Sequence, residues 1–100
     1  MSNILIGKKW DKGAIYIGRG SVFGNPWPID ETNPERTRDK VCDLYEEYFH
    51  QKIANDPEFK QKVDDLVTAS HYTLITLGCY CVPNRCHGET IKRYIDARNA

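Results

Sequence analysis

Residues 72–77, Tyr-Thr-Leu-Ile-Thr-Leu, form an apolar run that predicts a buried strand. A cluster of thiols follows this run, beginning at Cys79 and continuing through YCVPNRCHG, residues 80–88. A hydrophobic strand that ends in thiols, a turn and a helix start is typical of the reactive or ligand-binding sites of small α/β domains. We therefore expect the strand to lie at the centre of a sheet and its end to belong to a site.

Two shorter strands are predicted upstream, at residues 4–6 (ILI) and 15–17 (IYI). Residues 11–13, Asp-Lys-Gly, have turn chemistry, so we expect the two strands to pair as a hairpin. Residues 19–33 contain too many glycines and prolines for regular structure and predict a long loop, of the kind that often carries function.

The spacing of apolar residues predicts three helices. Asn33 as N-cap and Pro34 at the first helical position predict a helix whose apolar stripe is Val41, Leu44, Tyr45, Tyr48, Phe49 and Ile53. Residues 55–57, Asn-Asp-Pro, predict the end of this helix and the cap of a second, with the stripe Phe59, Val63, Leu66 and Val67. A last helix is predicted to begin near His87 or Gly88 and to bury Ile91, Tyr94 and Ile95. The expected fold class is α/β, a small single-domain layered fold with a short sheet, two long helices and a C-terminal strand-loop-helix. We expect the two long helices to pack their apolar stripes on the sheet.

Length and charge narrow the classes of function. With 100 residues, 40% of them hydrophobic, the chain is expected to fold as one domain over residues 1–100. Fourteen basic residues balance fourteen acidic ones, so neither nonspecific nucleic-acid binding nor attraction to a membrane is expected. The opening residues do not predict a signal peptide and no apolar stretch is long enough to span a membrane, so we expect a cytoplasmic protein with reduced thiols.

The thiol cluster has three interpretations, which remain open. Cys79, Cys81, Cys86 and His87 supply a Cys3His set for zinc, although two cysteines one residue apart on a strand lie about 6.5–7 Å apart at Cα. Alternatively, Cys86 is a nucleophile or redox thiol, because a helix N-terminus and Arg85 favour the thiolate and His87 can exchange a proton. In the third interpretation the cysteines are small buried hydrophobes. Of the metal-bound and metal-free states, we favour the metal-free one, because the strand must curl before the sulfurs of Cys79 and Cys81 can both reach one ion.

Cys79 and Arg85 also match the C-x5-R spacing with which cysteine phosphatases hold a phosphate. Such a cradle needs successive backbone N–H groups, whereas Pro83 removes one and residues 80–84 contain no glycine. Phosphatase chemistry is therefore not expected.

A second candidate site is the FGNP loop, residues 17–27 (IGRGSVFGNPW). Its glycines let backbone N–H groups approach an anion, and Arg19 adds a planar fork for phosphate or carboxylate. Asn25 can read a base or amide edge, while Phe23 and Trp27 can stack on a flat ligand. The alternative is an ordinary turn that anchors an aromatic side chain in the core.

Three segments together resemble a known family. They are residues 16–26 (YIGRGSVFGNP), the pair Thr37 and Arg38 opening a helix that contains Tyr45, and residues 77–89 (LGCYCVPNRCHGE). These segments are similar to the motifs of a family of small bacterial and phage proteins known as a domain of unknown function, with FGNP and C-x-C…CHG signatures. The resemblance spans nearly the whole chain and implies one site shared by the two motifs, without implying a reaction.

Two classes of function follow. In the first, the domain binds or processes a small anionic, nucleotide-like or other phosphate-bearing ligand, with Cys86 and His87 at the reacting end. Its expected ligand contacts are Arg19, Ser21, Phe23, Asn25, Trp27, Arg38 and Arg85. In the second, it is a non-catalytic module, stabilised by its thiols or by zinc, that modulates a host protein. The first class predicts that the FGNP loop and the CHG turn, residues 84–88, meet in space.

Overall fold

Three helices pack around one short sheet of three strands in the described part of the chain. The structure, a computed structural model, describes residues 4–18, 20–79 and 84–99. In these residues the chain forms strands β1 (Ile4–Lys8), β2 (Ile15–Tyr16) and β3 (Ile75–Cys79) and helices α1 (Arg38–Asn55), α2 (Pro57–Ser70) and α3 (Gly88–Asn99). The mixed α/β class that the sequence predicts is confirmed.

β3 is the central strand of a parallel sheet, as predicted. β1 pairs with β3 from Ile4 opposite Ile75 to Lys8 opposite Cys79, and β2 pairs with its other edge. The order β1-β3-β2 places a late segment of the chain between two early ones. The ends of β1 and β3 therefore lie side by side.

The apolar run that predicts β3 is only partly strand. Tyr72 and Leu74 are 86% and 58% exposed, and the strand begins at Ile75. The backbone N–H groups of residues 71–73 donate to carbonyls of the last turn of α2, so these residues close the helix before the strand can begin. The strand extends instead to Cys79, which is buried.

The predicted hairpin of the two N-terminal strands is wrong. β1 and β2 both run parallel to β3, which lies between them, so residues 9–14 must pass over the central strand. They pass at Gly78, where a Cβ atom would lie 3.0 Å from Ala14 Cβ and 3.1 Å from both Lys8 O and Lys9 Cα. The absent side chain of Gly78 leaves the space that the connection occupies.

α1 begins later than the sequence predicts. Its N-cap is Thr37, whose side chain accepts a backbone N–H from the first turn, and not Asn33. Asn33 caps a separate turn in which its Oδ1 accepts the Glu35 N–H at 2.9 Å. Both residues satisfy the local rule for an N-cap. The Arg36 carbonyl accepts the Asp30 N–H at 2.8 Å, so the loop before α1 uses an acceptor that a helix starting at Pro34 would need.

The break between α1 and α2 lies where it was predicted. Asp56 caps α2 by accepting the N–H groups of Glu58 and Phe59, both at 3.1 Å, and Pro57 takes the first helical position. The start of α3 at Gly88 also agrees with the prediction.

One core joins the helices to the sheet. α3 packs on β1 and α2 on β3, whereas α1, which we expected on the sheet as well, packs mainly against α2 and α3. With only two residues in β2, the sheet is too narrow to carry all three helices. The largest fully buried side chains include Tyr45, Phe49, Phe59, Ile4, Ile17, Leu77, Ile91 and Ile95. Within the described ranges, no helix has the length and apolar character needed to cross a membrane.

Replacing Gly78 with alanine should lower the free energy of unfolding by about 1–3 kcal/mol, because the new methyl group meets main-chain atoms of the connection. Ala14→Gly, alone and combined with Gly78→Ala, is the matched control, because it removes the Ala14 Cβ atom that the new methyl group would meet at 3.0 Å. Chemical denaturation of the three variants and the wild-type protein gives the coupling between the two positions. If Ala14→Gly recovers none of the loss caused by Gly78→Ala, the crossing does not depend on the bare backbone at Gly78.

Candidate functional site

The FGNP loop and the CHG turn meet through a buried hydrogen bond. His87 Nε2 lies 2.6 Å from the carbonyl oxygen of Ile17, and both residues are buried. A carbonyl oxygen can only accept, so Nε2 carries the proton. Burial lowers the pKa of His87, against the opposing effect of the Ile17 and Phe23 carbonyls, and keeps the ring neutral. The other ring nitrogen, Nδ1, is therefore an acceptor.

Tyr45 of α1 joins the two loops from the opposite side. Its hydroxyl donates to the carbonyl of Phe23 at 2.8 Å, and its ring packs edge-on against the His87 ring with centroids 4.7 Å apart. Burial raises the pKa of Tyr45, so the hydroxyl stays protonated and remains a donor. Tyr45 was predicted as a core residue of the helix, and its polar end also shapes the site.

A cavity of about 270 Å³ lies between the two loops. The strand end and α1 complete its wall. Its lining residues are Gly18, Asn25, Trp27, Ile29, Val41, Cys42, Cys79, Arg85, Cys86 and His87. The sequence did not predict Ile29, Val41 or Cys42 in this place. Two of them could have been found from the sequence, because Val41 and Cys42 precede Tyr45 on the buried face of α1.

Two thiols face each other at the wall of this cavity. Cys79 Sγ at the end of β3 lies 2.7 Å from Cys86 Sγ, and both residues are buried. Cys86 Sγ also lies 3.7 Å from His87 Nδ1 and 3.4 Å from the backbone N of Gly88, the first residue of α3. Glu89 reaches back to accept the Cys86 N–H at 3.2 Å. A helix N-terminus and an imidazole nitrogen thus lie beside the Cys86 sulfur.

Arginine side chains lie at the edge of the site. Arg85 lines the cavity and forms ion pairs with Asp39 at 3.2 Å and Asp43 at 3.0 Å. Its hydrogen bond to Asp43 raises the pKa of the guanidinium, which stays charged. Arg38 donates to the Arg85 carbonyl and so holds the CHG turn against α1. The sequence did not predict the two aspartates as partners of Arg85, although both lie on the first turns of α1.

The FGNP side chains divide between the cavity and the fold. Trp27 is half-buried, lines the cavity and packs edge-on against Tyr48 at 5.5 Å. Asn25 also lines the cavity, but its amide donates to Val41 O at 3.2 Å and accepts the Trp27 N–H at 3.0 Å. Two of its hydrogen-bonding groups thus hold the loop.

Two further residues predicted to contact the ligand, Phe23 and Ser21, make their contacts within the protein instead. Phe23 belongs to the core, where its ring lies edge-on to Phe59 at 6.0 Å. Ser21 donates its hydroxyl to Gly18 O at 2.7 Å and closes a turn. Arg19 and Cys81, which the sequence predicted for ligand and metal binding, lie outside the described residues.

The zinc interpretation stays a prediction, because Cys81, one of its four predicted ligands, lies outside the described residues. Among the described residues, no group of three or more His, Cys, Asp or Glu side chains is arranged to hold a metal ion.

The chain belongs to the family described as Domain of unknown function (DUF4326), whose model matches residues 6–97. This match confirms the resemblance to a family of unknown function. Neither the curated proteins nor the solved structures include a match to the chain.

Acid should destabilise the protein through His87. In the unfolded chain, His87 binds a proton below its ordinary pKa of about 6.5. In the folded protein the buried ring has a lower pKa and binds the proton only at a lower pH. Stability present above about pH 6.5 is thus lost as the pH falls, by up to about 1.4 kcal/mol per pH unit.

Urea denaturation between about pH 7.5 and pH 5 measures this slope. His87→Gln should make it shallower, while His71→Gln, at an exposed position, serves as the control and should leave it unchanged. An unaltered slope in His87→Gln would assign the acid sensitivity to other groups.

Proposed function

We propose that the cavity between the FGNP loop and the CHG turn binds a small ligand that has a flat ring and an anionic group, such as a nucleotide-like molecule. The observation that supports this proposal is that residues of both loops line one cavity. Asn25 and Trp27 from one loop and Arg85, Cys86 and His87 from the other line the same cavity. Small-molecule sites have this character, a mostly apolar pocket with a few convergent polar groups.

The size of the cavity limits what enters it. Its volume of about 270 Å³ lies just below the roughly 300–1,000 Å³ of pockets that enclose whole drug-sized ligands. A flat ring fits inside, whereas the sugar and phosphate of a nucleotide would remain at the mouth. Trp27 and Ile29 supply apolar surface for the ring.

The anionic end is assigned to Arg85. Its present partners, Asp39 and Asp43, have side chains 81% and 62% exposed, and exposed ion pairs contribute only about 0–1 kcal/mol. A phosphate that accepts two parallel hydrogen bonds from the guanidinium can therefore replace one carboxylate at small cost. Arg38, next to the same turn, and Arg19 add positive charge in this proposal.

Cys86 lies at the reacting end of the proposed complex. Its sulfur borders the cavity, and His87 Nδ1 at 3.7 Å can take its proton. This arrangement supports thiol-dependent processing of the bound ligand as well as binding.

A second candidate is a non-catalytic module that binds a host protein. It is favoured by the large apolar side chains at the surface, of which Trp10 is 68% and Tyr72 86% exposed. Its distinguishing expectation is that variants of the cavity leave the function intact.

Thermal unfolding with added ligands tests the first candidate. The four ribonucleoside 5′-monophosphates, the corresponding nucleosides and inorganic phosphate serve as probes, so that ring and anion are examined separately. At about 100 times its dissociation constant, a ligand of the folded state raises the free energy of unfolding by about 2.7 kcal/mol. We expect at least one monophosphate to stabilise the protein more than its nucleoside or phosphate alone.

Variants then locate the binding. Arg85→Gln and Trp27→Leu should each weaken binding about tenfold or more, the loss of one good contact. Arg93→Gln is the matched control, since Arg93 is an exposed arginine paired with Glu46 and does not line the cavity. No stabilisation by any probe, or an equal loss in Arg93→Gln, would contradict the proposal, and native mass spectrometry of freshly purified protein checks for a retained ligand.

A further inference from the structure

We propose that Cys79 and Cys86 form a reversible peroxide-reactive pair, in which Cys86 attacks a small peroxide and Cys79 then closes a disulfide with it. This inference goes beyond ligand binding and does not depend on it. It rests on the geometry of the two sulfurs, on the contacts of Cys86 and on the cavity that leads to both.

The two sulfurs are already almost in place. Their separation of 2.7 Å exceeds a disulfide bond, about 2.05 Å, by only roughly 0.7 Å. Cys79 ends β3 and Cys86 lies just before α3, and the chain between them includes residues 80–83, so the bond would link strand to helix. No large rearrangement of either element is needed to form it.

Cys86 is the attacking thiol. Its sulfur lies 3.4 Å from the N of Gly88 at the start of α3, where the helix dipole favours negative charge. His87 Nδ1 at 3.7 Å is an acceptor, because Nε2 holds the ring proton and donates it to Ile17. The neutral imidazole can therefore accept the S–H hydrogen bond of the thiol, and the thiol proton moves to Nδ1 only as the sulfur becomes negative beside it. Cys79 sits at a strand end instead, in position to act second.

The cavity decides which oxidants reach the pair. Cys79 and Cys86 are only 1% and 2% exposed, yet both line the space of about 270 Å³. Hydrogen peroxide is small enough to enter this space and to reach both sulfurs. The co-reactant is therefore a small peroxide.

The chemistry is balanced in two steps. The Cys86 thiolate attacks one oxygen of hydrogen peroxide, so that a sulfur–oxygen bond forms, the oxygen–oxygen bond breaks and the leaving hydroxide takes a proton to become water. Cys79 then attacks the sulfur of the resulting sulfenic acid, forming the disulfide and releasing a second water. The two thiols lose two electrons and two protons, and one peroxide becomes two waters. A small dithiol reverses the bond by thiol–disulfide exchange.

Peptide mapping of the full chain tests the pairing. Reduced protein is treated with one equivalent of hydrogen peroxide, remaining thiols are blocked with N-ethylmaleimide, and trypsin is added. Cleavage after Arg85 separates the peptide that contains Cys86 from the one that contains both Cys79 and Cys81. A cross-linked peptide pair that dithiothreitol resolves is the expected product.

Single substitutions assign the bridge. Cys42→Ser and Cys81→Ser should keep the cross-link, and Cys42→Ser is the matched control because Cys42 is another buried cysteine that lines the same cavity. Cys86→Ser should abolish the cross-link and slow peroxide consumption about tenfold or more. Cys79→Ser should instead accumulate a sulfenic acid on Cys86, which dimedone traps.

Several results would overturn the pairing. They are loss of the cross-link in Cys81→Ser, no cross-link in wild-type protein, and zinc bound at one equivalent in the reduced protein with its thiols protected from peroxide. Circular dichroism checks that each variant is folded, and Cys79→Ala replaces Cys79→Ser if the hydroxyl disturbs the core. The wild-type and Cys81→Ser maps decide the matter even if neither variant at Cys79 folds.

Discussion

The carbonyl oxygen of Ile17 is buried just where β2 leaves the sheet, and a buried carbonyl needs a donor. The Ile17 N–H still pairs with Gly78 O at 3.0 Å, but the chain then turns away from β3. His87 supplies the donor from a segment seventy residues later. This bond fixes the tautomer of His87, turns its other nitrogen toward Cys86 and brings the CHG turn against the FGNP loop. One requirement of the backbone thus sets both the fold and the chemistry of the site.

The loop that follows β2 depends on a few bonds of this kind. Residues 20–37 contain no helix or strand, so their buried polar groups find partners in side chains and turns. The Tyr45 hydroxyl donates a hydrogen bond to Phe23 O, and the Asn25 amide donates one to Val41 O. Each such bond stabilises the fold by only about 0.5–1.5 kcal/mol, but leaving its buried partner unpaired costs about 1–3 kcal/mol. An irregular segment of this length is therefore held by specific side chains and not by local preference.

Local signals predicted the elements that local interactions form. The proline at position 57 and the cap at Asp56 mark the break between the long helices in the sequence as clearly as in the structure. Strand pairing is different, because turn chemistry at residues 11–13 is equally compatible with a hairpin and with a crossing. The crossing forms because β3, which follows some sixty residues later, pairs between the two strands and leaves room for the connection at Gly78. The start of α1 was missed because Asn33 and Thr37 are both good capping residues, and the bond from the Asp30 N–H to Arg36 O, which keeps the chain before Thr37 in a loop, has no signal in the sequence.

Only part of the candidate site could be predicted from the sequence. The two motifs could be expected to meet, but a loop of glycines and prolines has no periodicity that tells an inward Phe23 from a cavity-lining Trp27. On a strand, adjacent side chains point to opposite faces. Cys86 and His87 lie in a turn instead, and Cys86 Sγ is 3.7 Å from His87 Nδ1.

The turn also explains the order of the three residues in CHG. Cys86 carries the sulfur, His87 satisfies Ile17, and Gly88 leaves room for the Ile17 side chain, whose Cδ1 would lie 2.7 Å from a Cβ there. Two of the three positions are therefore fixed by one buried isoleucine. The Cys86 sulfur lies next to His87 Nδ1 and the Gly88 N–H, so the residues that close the turn also position the thiol.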